Sequence, residues 1–389
     1  SKPYRIITTK MEYAVYFYYL FIIILGAKLL GEAAHRLGQS SVLGELLWGV
    51  IIGGSMLNLI PNTPIIQFLA QIGAIVLLFE VGVGSHLYDF LKVGFWALLV
   101  ATVGVILPFI GGYYVAVYFG INHLEAIFIG AVLTATSVGI TARLFADFGK
   151  LNTKEARIVL GAAVIDDVIG LGILAVVSKM IVNGSVSAWN IIAITGTAIA
   201  FLSVSLLLGV LLMPGILELI KKMRQSQAVF IGAFSFCLIY SFLAALVGLA
   251  SIVGAFIAGL VLSIGEQKAH IEEQIKPITA LFVPIFFVYM GMFIDIKAFN
   301  SQMLGLLLAL VLVAVIGKVL AGFCVPGKGI DRLIIGAGMI PRGEVGLIFA
   351  SMGLSLGIIN SSIYSVLVAV SILTTFIAPF LLKPLLKKI

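Results

Sequence analysis

The sequence predicts an all-α membrane protein with about thirteen transmembrane helices, built from inverted-topology repeats that include two crossed discontinuous helices. Three observations support this: the composition, the number of apolar segments and a repeat within the chain. Of the 389 residues, 61% are hydrophobic and 11% are charged, against roughly 45–50% and 25% in a soluble domain. No stretch is polar for long enough to form an aqueous domain, so residues 1–389 are expected to form a single membrane-embedded body.

Thirteen apolar segments qualify as transmembrane helices, since a helix needs about 20 largely apolar residues to cross the hydrocarbon. Charge clusters and loops containing Pro, Gly and Asn separate them. The segments lie at 12–31, 42–59, 65–84, 93–118, 124–146, 155–178, 189–213, 228–247, 249–264, 279–294, 302–324, 332–356 and 362–382.

The distribution of Lys and Arg between the loops predicts the orientation of the chain. With the N-terminus outside, fifteen of these residues fall on the inner side and five on the outer side. Because Lys and Arg are enriched in cytoplasmic loops, we expect a multi-pass protein of the cell membrane with a cytoplasmic C-terminus. This topology also accounts for the formal charge of +7. No basic patch contains interleaved aromatic residues, so no nucleic-acid partner is expected.

An internal repeat relates segments two to six to segments nine to thirteen. Residues 44–52 align with a segment 210 residues later, Gly82 aligns with Gly291 at an offset of 209, and residues 137–140 align with a segment 207 residues later. The repeats are therefore residues 42–178 and 249–382. A displacement of seven segments is odd, so the two copies cross the membrane in opposite directions. Such inverted repeats are typical of secondary transporters; chance similarity between apolar segments is the alternative.

Segments five and twelve, at equivalent positions of the two repeats, are predicted to be discontinuous. Segment five contains small and hydroxyl-bearing residues around Thr136 and Ser137, and segment twelve contains Pro341 followed by Arg342 and Glu344. A proline beside charges interrupts a membrane helix or lines a cavity. Crossed, interrupted helices bring helix ends of like sign together, so Arg342 and Glu344 are expected to supply compensating charge. Ordinary helix-packing glycines are the alternative explanation.

Ionisable side chains inside the apolar segments are few, and each costs about 2.5–3.5 kcal/mol on insertion scales. Asp166 and Asp167 are adjacent in segment six, with no other charge for eight residues on either side. Neighbouring residues of a helix point about 100° apart, so the two carboxylates are expected to have different partners. Asp167 can bind a cation together with oxygen atoms of segment five, and Asp166 can pair with Lys318. A purely structural ion-pair network is the alternative.

Three further charged residues lie in the apolar segments. Glu45 and Glu80 are interpreted either as helix-end groups or as parts of a water-filled path. Arg143 lies near the end of its segment, where its side chain is expected to extend to the membrane interface. In the second repeat the acidic pair corresponds to Thr374 and Thr375, so one half of the chain carries the acidic site and the other does not.

Four motifs along the chain, in order, carry a family resemblance. They are Ala135-Thr-Ser-Val-Gly-Ile-Thr-Ala-Arg143, Gly161-Ala-Ala-Val-Ile-Asp-Asp-Val168, Ile252-Val-Gly-Ala-Phe256 and Pro341-Arg-Gly-Glu-Val-Gly-Leu347. They resemble the NapA-type sodium/proton antiporters, which belong to the second monovalent cation/proton antiporter family. The resemblance implies a homodimer in membrane lipid that exchanges sodium for protons and contributes to pH homeostasis.

The same resemblance implies a division of the chain. Residues 93–178 and 302–382 would form a mobile core, residues 12–84 and 228–294 a dimerisation part, and residues 189–213 a linker helix. It further implies that Asp167 binds the ion and the proton, while Asp166 pairs with Lys318. The implied sodium ligands are Asp167, Asp166 and Thr136. The residues that support the site at the unwound helices are Thr136, Ser137, Glu344 and Arg342.

The predicted function is secondary active exchange of a monovalent cation, with sodium favoured, for protons, and the exchange is expected to be electrogenic. Kef-type potassium/proton antiport is an alternative, although Kef-type relatives carry a cytosolic nucleotide-binding domain and no such domain is expected before Ile389. A cation channel is a second alternative, disfavoured because two adjacent aspartates on one helix do not form a ring around a pore axis.

No enzymatic activity and no cofactor are expected. An intramembrane aspartyl protease needs two aspartates on different helices, whereas here they are neighbours on one segment. Cys237 and Cys324 lie in apolar segments and the four histidines have no metal-binding spacing, so neither a disulfide framework nor a zinc site is indicated.

Overall fold

The computed structural model describes residues 2–37, 40–54, 56–84, 87, 92–183, 188–221, 227–293, 301–327 and 329–388. Regular structure in these ranges is helical, as the sequence predicts. The helices are α1 (Lys2–Arg36), α2 (Ser41–Ile52), α3 (Pro64–Gly84), α4 (Gly94–Tyr118), α5 (His123–Val132), α6 (Val138–Asp147), α7 (Lys154–Asn183), α8 (Ala188–Lys221), α9 (Ala228–Leu246), α10 (Ser251–Leu262), α11 (Lys268–Gly291), α12 (Ser301–Gly322), α13 (Arg332–Gly338), α14 (Glu344–Ser355) and α15 (Ser361–Leu386).

Within those ranges, eight helices are long and apolar enough to cross a membrane. Their outer faces are apolar as well. On α8, for example, Leu207 and Leu211 are 60% and 65% exposed, and Leu208 and Leu212 beside them are also exposed. Apolar surface of this extent is normally covered by lipid or by another chain. The chain is therefore a multi-pass membrane protein.

Several helix bounds differ from the predicted segments for local reasons. The second segment was predicted to reach residue 59, but α2 ends at Ile52. The chain turns there: Asn58 has a φ of +48° and donates its amide to Gly53 O at 2.9 Å. Conversely, α11 begins at Lys268 instead of residue 279, because a charged stretch continues the helix beyond its apolar part. Length criteria based on apolar residues alone miss such extensions.

The helices pack in two sets with α6 between them. In the first set, α2 packs on α1 and α11, α3 on α10 and α11, and α9 on α10. In the second set, α4 packs on α5, α7 and α12, and α15 packs on α12, α13 and α14. Helix α6 packs on α7 and also contacts α2 and α3, so it links the second set to the first.

Close helix contacts at glycine recur at residues related by the sequence repeat. A Cβ on Gly49 would lie 2.8 Å from Gly291 Cα, and a Cβ on Gly82 would lie 2.9 Å from Gly259 Cα. The repeat aligns Gly49 with Gly259 and Gly291 with Gly82, so it exchanges one contact for the other. Because the four glycines have no side chain, the backbones of α2 and α11, and those of α3 and α10, come into direct contact.

Two more glycine contacts repeat in the same way. A Cβ on Gly44 would lie 2.1 Å from Leu30 O, and a Cβ on Gly254 would lie 2.1 Å from Tyr240 O. Both residues of the second contact lie 210 positions after those of the first. The contacts between α1 and α2 and between α9 and α10 thus have the same geometry at equivalent residues.

Gly49→Ala is expected to lower the thermal stability of the protein. The added Cβ would lie 2.0 Å from Val288 O, and backbone cannot move aside as a flexible side chain can, so overpacking of at least about 1–3 kcal/mol is expected. The matched control is Gly215→Ala in α8, where nothing lies within 4 Å of the added Cβ. Thermal unfolding in detergent measures both variants. Equal midpoints for the two would contradict the close approach of α2 and α11.

Candidate functional site

The predicted segments five and twelve are each interrupted, and the two interruptions contact each other. Segment five consists of α5 and α6, and segment twelve consists of α13 and α14. The amide of Ser137, just before α6, donates to Pro341 O at 2.8 Å. Two threonine hydroxyls also cross the gap: Thr141 Oγ1 donates to Gly338 O at 2.9 Å and Thr136 Oγ1 lies 3.3 Å from Met339 O. Backbone groups released by one interruption are thus satisfied by the other.

Arg342 occupies the centre of this contact and is 1% exposed. Its Nη2 and Nε donate to Leu133 O at 2.6 and 3.2 Å, and its Nη1 donates to Ile340 O at 3.1 Å. Leu133 and Ile340 follow α5 and α13, where unpaired carbonyls carry partial negative charge. The guanidinium therefore neutralises the carbonyl ends of two helices, the charge compensation that the sequence indicated for this residue.

Asp166 and Lys318 form an ion pair in the protein interior. Lys318 Nζ lies 2.7 Å from Asp166 Oδ2, and both side chains are fully buried. Lys318 Nζ also donates to Thr134 O at 2.8 Å, while Thr136 Oγ1 donates to Asp166 Oδ2 at 2.7 Å. The pair between α7 and α12 is consequently anchored to the interruption between α5 and α6.

One oxygen of this pair has no hydrogen-bond partner in the part of the chain that the structure describes. Asp166 Oδ1 is buried and finds no partner among the described residues. A buried carboxylate oxygen without a donor is costly to maintain. Hard cations bind such oxygens together with hydroxyl and carbonyl groups. A hydroxyl group is close by, since Thr136 Oγ1 donates a hydrogen bond to Asp166 Oδ2, the other oxygen of the same carboxylate.

The structure describes the side chains of some of the other predicted site residues but not of all. Asp167 lies in α7 and Glu344 begins α14, but both side chains lie outside the described part of the structure. Ser137 Oγ accepts the Ile140 amide at 3.3 Å and caps α6. In the second repeat, Thr375 Oγ1 donates to Arg342 O at 2.7 Å. Thr375, which the repeat aligns with Asp167, therefore contacts the interruption of segment twelve.

Arg143 has partners within the protein, and the extension of its side chain to the membrane interface stays a prediction. Arg143 Nε lies 2.9 Å from Asp147 Oδ1, and Nη2 donates to Ser41 Oγ at 3.1 Å. Its side chain is 25% exposed. The spacing of four residues between Arg143 and Asp147 is favourable for a pair on one helix, a signal in the sequence that could have identified it.

Glu45 and Glu80 lie on the same side of the molecule as Arg143. Glu45 is 3% exposed, its Oε2 has no hydrogen-bond partner among the described residues, and its charged neighbours include Arg143 and Asp147. Glu80 on α3 is partly buried and interacts with Thr279 of α11. Neither residue contacts the Asp166 pair through a described hydrogen bond.

Two contacting helix interruptions beside a buried ion pair define a membrane-embedded charged site in a multi-pass helical protein. The chain belongs to the sodium/hydrogen exchanger family of transmembrane proteins, whose match extends over residues 20–388. The family resemblance drawn from the sequence motifs is thereby confirmed.

Two relatives and one solved structure illustrate the match. The high-affinity Na⁺/H⁺ antiporter NhaS3 of Synechocystis is 37% identical, covering 92% of this chain and 87% of its own. The Na⁺/H⁺-K⁺ antiporter GerN of Bacillus cereus is 36% identical over 95% of both chains. The sodium proton antiporter MjNhaP1 of Methanocaldococcus jannaschii has a TM-score of 0.68 over 97% of this chain and 96% of its own. With 18% identity, this last likeness concerns the fold.

Proposed function

We propose that this protein is a secondary antiporter that exchanges a monovalent cation, with sodium favoured, for protons. The observation that carries the proposal is the buried Asp166–Lys318 pair, in which Asp166 Oδ1 has no hydrogen-bond partner in the described structure. The names of NhaS3 and GerN, both Na⁺/H⁺ antiporters, support the same exchange. The proposal assigns transport and no covalent chemistry to the site, and it requires no cofactor.

In the proposed site, sodium binds at Asp167, Asp166 and Thr136. Ser137, Arg342 and Glu344 hold the two interruptions in place, and the charge of Glu344 at the start of α14 suits the positive end of that helix. Cation arrival draws Asp166 away from Lys318, and the ammonium then loses a proton because charge is disfavoured in the apolar interior. Together with the proton displaced from Asp167, two protons leave for one cation. Exchange is therefore electrogenic.

Access to the site alternates between the two sides of the membrane. The proposal is a thirteen-crossing homodimer in the cell membrane, N-terminus outside, in which residues 93–178 and 302–382 move as a core against residues 12–84 and 228–294. The paired glycine contacts at residues exchanged by the repeat support inverted repeats, since unrelated apolar segments have no reason to pack through equivalent residues. In inverted-repeat transporters, access alternates because one bundle of helices moves as a rigid body against the other.

Potassium/proton exchange and ion conduction through a channel are the two alternative activities for this site. Potassium/proton exchange uses the same residues, and the name of GerN includes potassium as well as sodium. A channel needs a continuous path, whereas Lys318 and Arg342 fill the described site with buried positive charge. A site filled by buried charged side chains therefore favours transport by alternating access over conduction through a channel.

Purified protein in proteoliposomes is expected to move protons when sodium is added, and the rate is expected to respond to an imposed membrane potential. A pH-sensitive dye reports proton movement after pulses of lithium, sodium or potassium, and valinomycin with a potassium gradient sets the potential. If two protons leave for one cation, each cycle moves net charge and the potential changes the rate. Exchange that is indifferent to the potential would refute the two-proton scheme, and conduction without coupled proton movement would favour a channel.

A further inference from the structure

A polar contact joins α6 to the first turn of α2, at the end of α6 opposite the Asp166 site. Asp147, the last residue of α6, accepts hydrogen bonds from the Ser40 hydroxyl, from the Ser41 hydroxyl at 3.1 Å and from the Ser41 amide at 3.2 Å. Arg143, one turn earlier, donates to Ser41 Oγ at 3.1 Å. Four polar contacts thus join α2 of the first set to α6, the helix that links the two sets.

The charges of this contact are mutually dependent. The Asp147 carboxylate lies at the N-terminus of α2, where a negative charge is favourable because the first amides have no intrahelical partner. Arg143 stands between two carboxylates, Asp147 at 2.9 Å and the buried Glu45 one turn into α2. Without Arg143 these two carboxylates would face each other across the contact.

A cavity lies between the first set of helices and α14, on the side opposite this polar contact. This cavity of about 310 Å³ lies near the start of α3 and α10 and the end of α11, and it is lined by Gln67, Gln71, Ser251, Tyr289 and, from α14, Leu347. The chain direction places the start of α3 on the far side of the membrane from the start of α2. On that side the cavity separates Leu347 of α14, in the second set, from helices α3, α10 and α11 of the first set.

We propose that Ser40, Ser41, Arg143 and Asp147 form an inner latch, which closes the cytoplasmic side of the protein and breaks in every transport cycle. The inference rests on the proposed antiport and assigns positioning residues that do not contact the ion. Because the latch stabilises only the inner-closed arrangement, its loss increases the population open to the cytoplasm. The apparent sodium affinity then changes in opposite directions on the two sides, with unchanged selectivity.

Asp147→Asn is the primary test, and Glu32→Gln is its matched control. Glu32 also pairs with an arginine four residues away, Arg36 at 2.8 Å, but on the exposed surface of α1. In inside-out vesicles, Asp147→Asn is expected to lower the half-saturating sodium concentration about threefold or more, and in right-side-out vesicles to raise it. Ser41→Ala, which removes two of the contacts without changing charge, is expected to give the same pattern to a smaller extent.

Cross-linking tests the same inference without relying on affinity. In a protein with Cys237→Ala and Cys324→Ala, the pair Ser41→Cys and Asp147→Cys is bridged by a short thiol-specific cross-linker that reductant cleaves. Exchange is expected to stop on bridging and to return on reduction, while each single cysteine variant stays active.

Four outcomes distinguish a failure of the latch from a failure of the proposed antiport. Full exchange with the bridge complete, or Asp147→Asn behaving as Glu32→Gln on both faces, would overturn the latch and leave antiport intact. A change in sodium over lithium selectivity would also overturn it, since it would place Asp147 in the binding site. Absence of exchange in the unmutated protein would overturn the antiport itself.

Discussion

Asp167→Asn is expected to abolish cation-driven proton movement while the protein remains folded. Asparagine has the shape of aspartic acid but can neither release a proton nor offer a negative charge to sodium. Truncating one partner of a desolvated charge pair in a binding site costs about 2–5 kcal/mol, which corresponds to a loss of roughly 30-fold or more in apparent sodium affinity. Initial rates in proteoliposomes, with monodispersity in detergent as the folding criterion, measure the effect.

Asp331→Asn is the matched control for that variant. Asp331 accepts the amides of Leu333 and Ile334 at the start of α13, and asparagine is an equally good N-cap. The same chemical change at this position is expected to leave exchange near the unmutated rate. Substantial sodium-driven proton movement in Asp167→Asn would show that Asp167 is not the essential carboxylate and would move the proposed site to Asp166.

Breaking the Asp166–Lys318 pair from one side is expected to destabilise the protein more than removing both partners. Lys318→Met leaves the fully buried Asp166 without its cation, and Asp166→Asn leaves the ammonium with Thr134 O as its described acceptor. Each single change is expected to cost about 3–5 kcal/mol. The double variant is expected to recover a large part of that loss, because no uncompensated charge remains.

Thermal unfolding of the four proteins forms a double-mutant cycle. Exchange by the same four proteins is also measured under an imposed membrane potential. Both single variants are expected to lose most of the change in exchange rate that the potential causes in the unmutated protein. Additive losses of stability in the double variant would mean that the two side chains do not interact, and a full voltage response in Lys318→Met would remove the lysine from the coupling scheme.

The chemistry of the site could be predicted from the sequence where a charge had few possible partners. Asp166 and Lys318 are rare charges in apolar segments, so their energetic cost already pointed to a pair, and the structure contains it. Pro341 marked one helix interruption, and the hydroxyl-rich residues around Thr136 marked the other. The compensating role of Arg342 followed from the expectation that helix ends of like sign meet there.

Other features depend on which residues meet in space, and sequence spacing does not contain that information. The carbonyl acceptors of Lys318 and Arg342, Thr134 O and Leu133 O, are backbone atoms that any residue type supplies. The partner of Arg143 on α2, Ser41, could not be predicted, because only the approach of α2 to α6 brings the two side chains together. The helix extensions beyond the apolar stretches escaped prediction because charged residues are good helix formers outside lipid.

The hydrogen bonds between the two helix interruptions have a mechanical consequence. Ser137 and Thr141 bind the segment that precedes α14, and Arg342 binds the end of α5, so neither break can shift without dragging the other. Four short half-helices therefore behave as one rigid block, and strain applied at any of them is shared by all. A displacement of one half-helix is therefore transmitted to the other three, and no single loop of the four can change shape by itself.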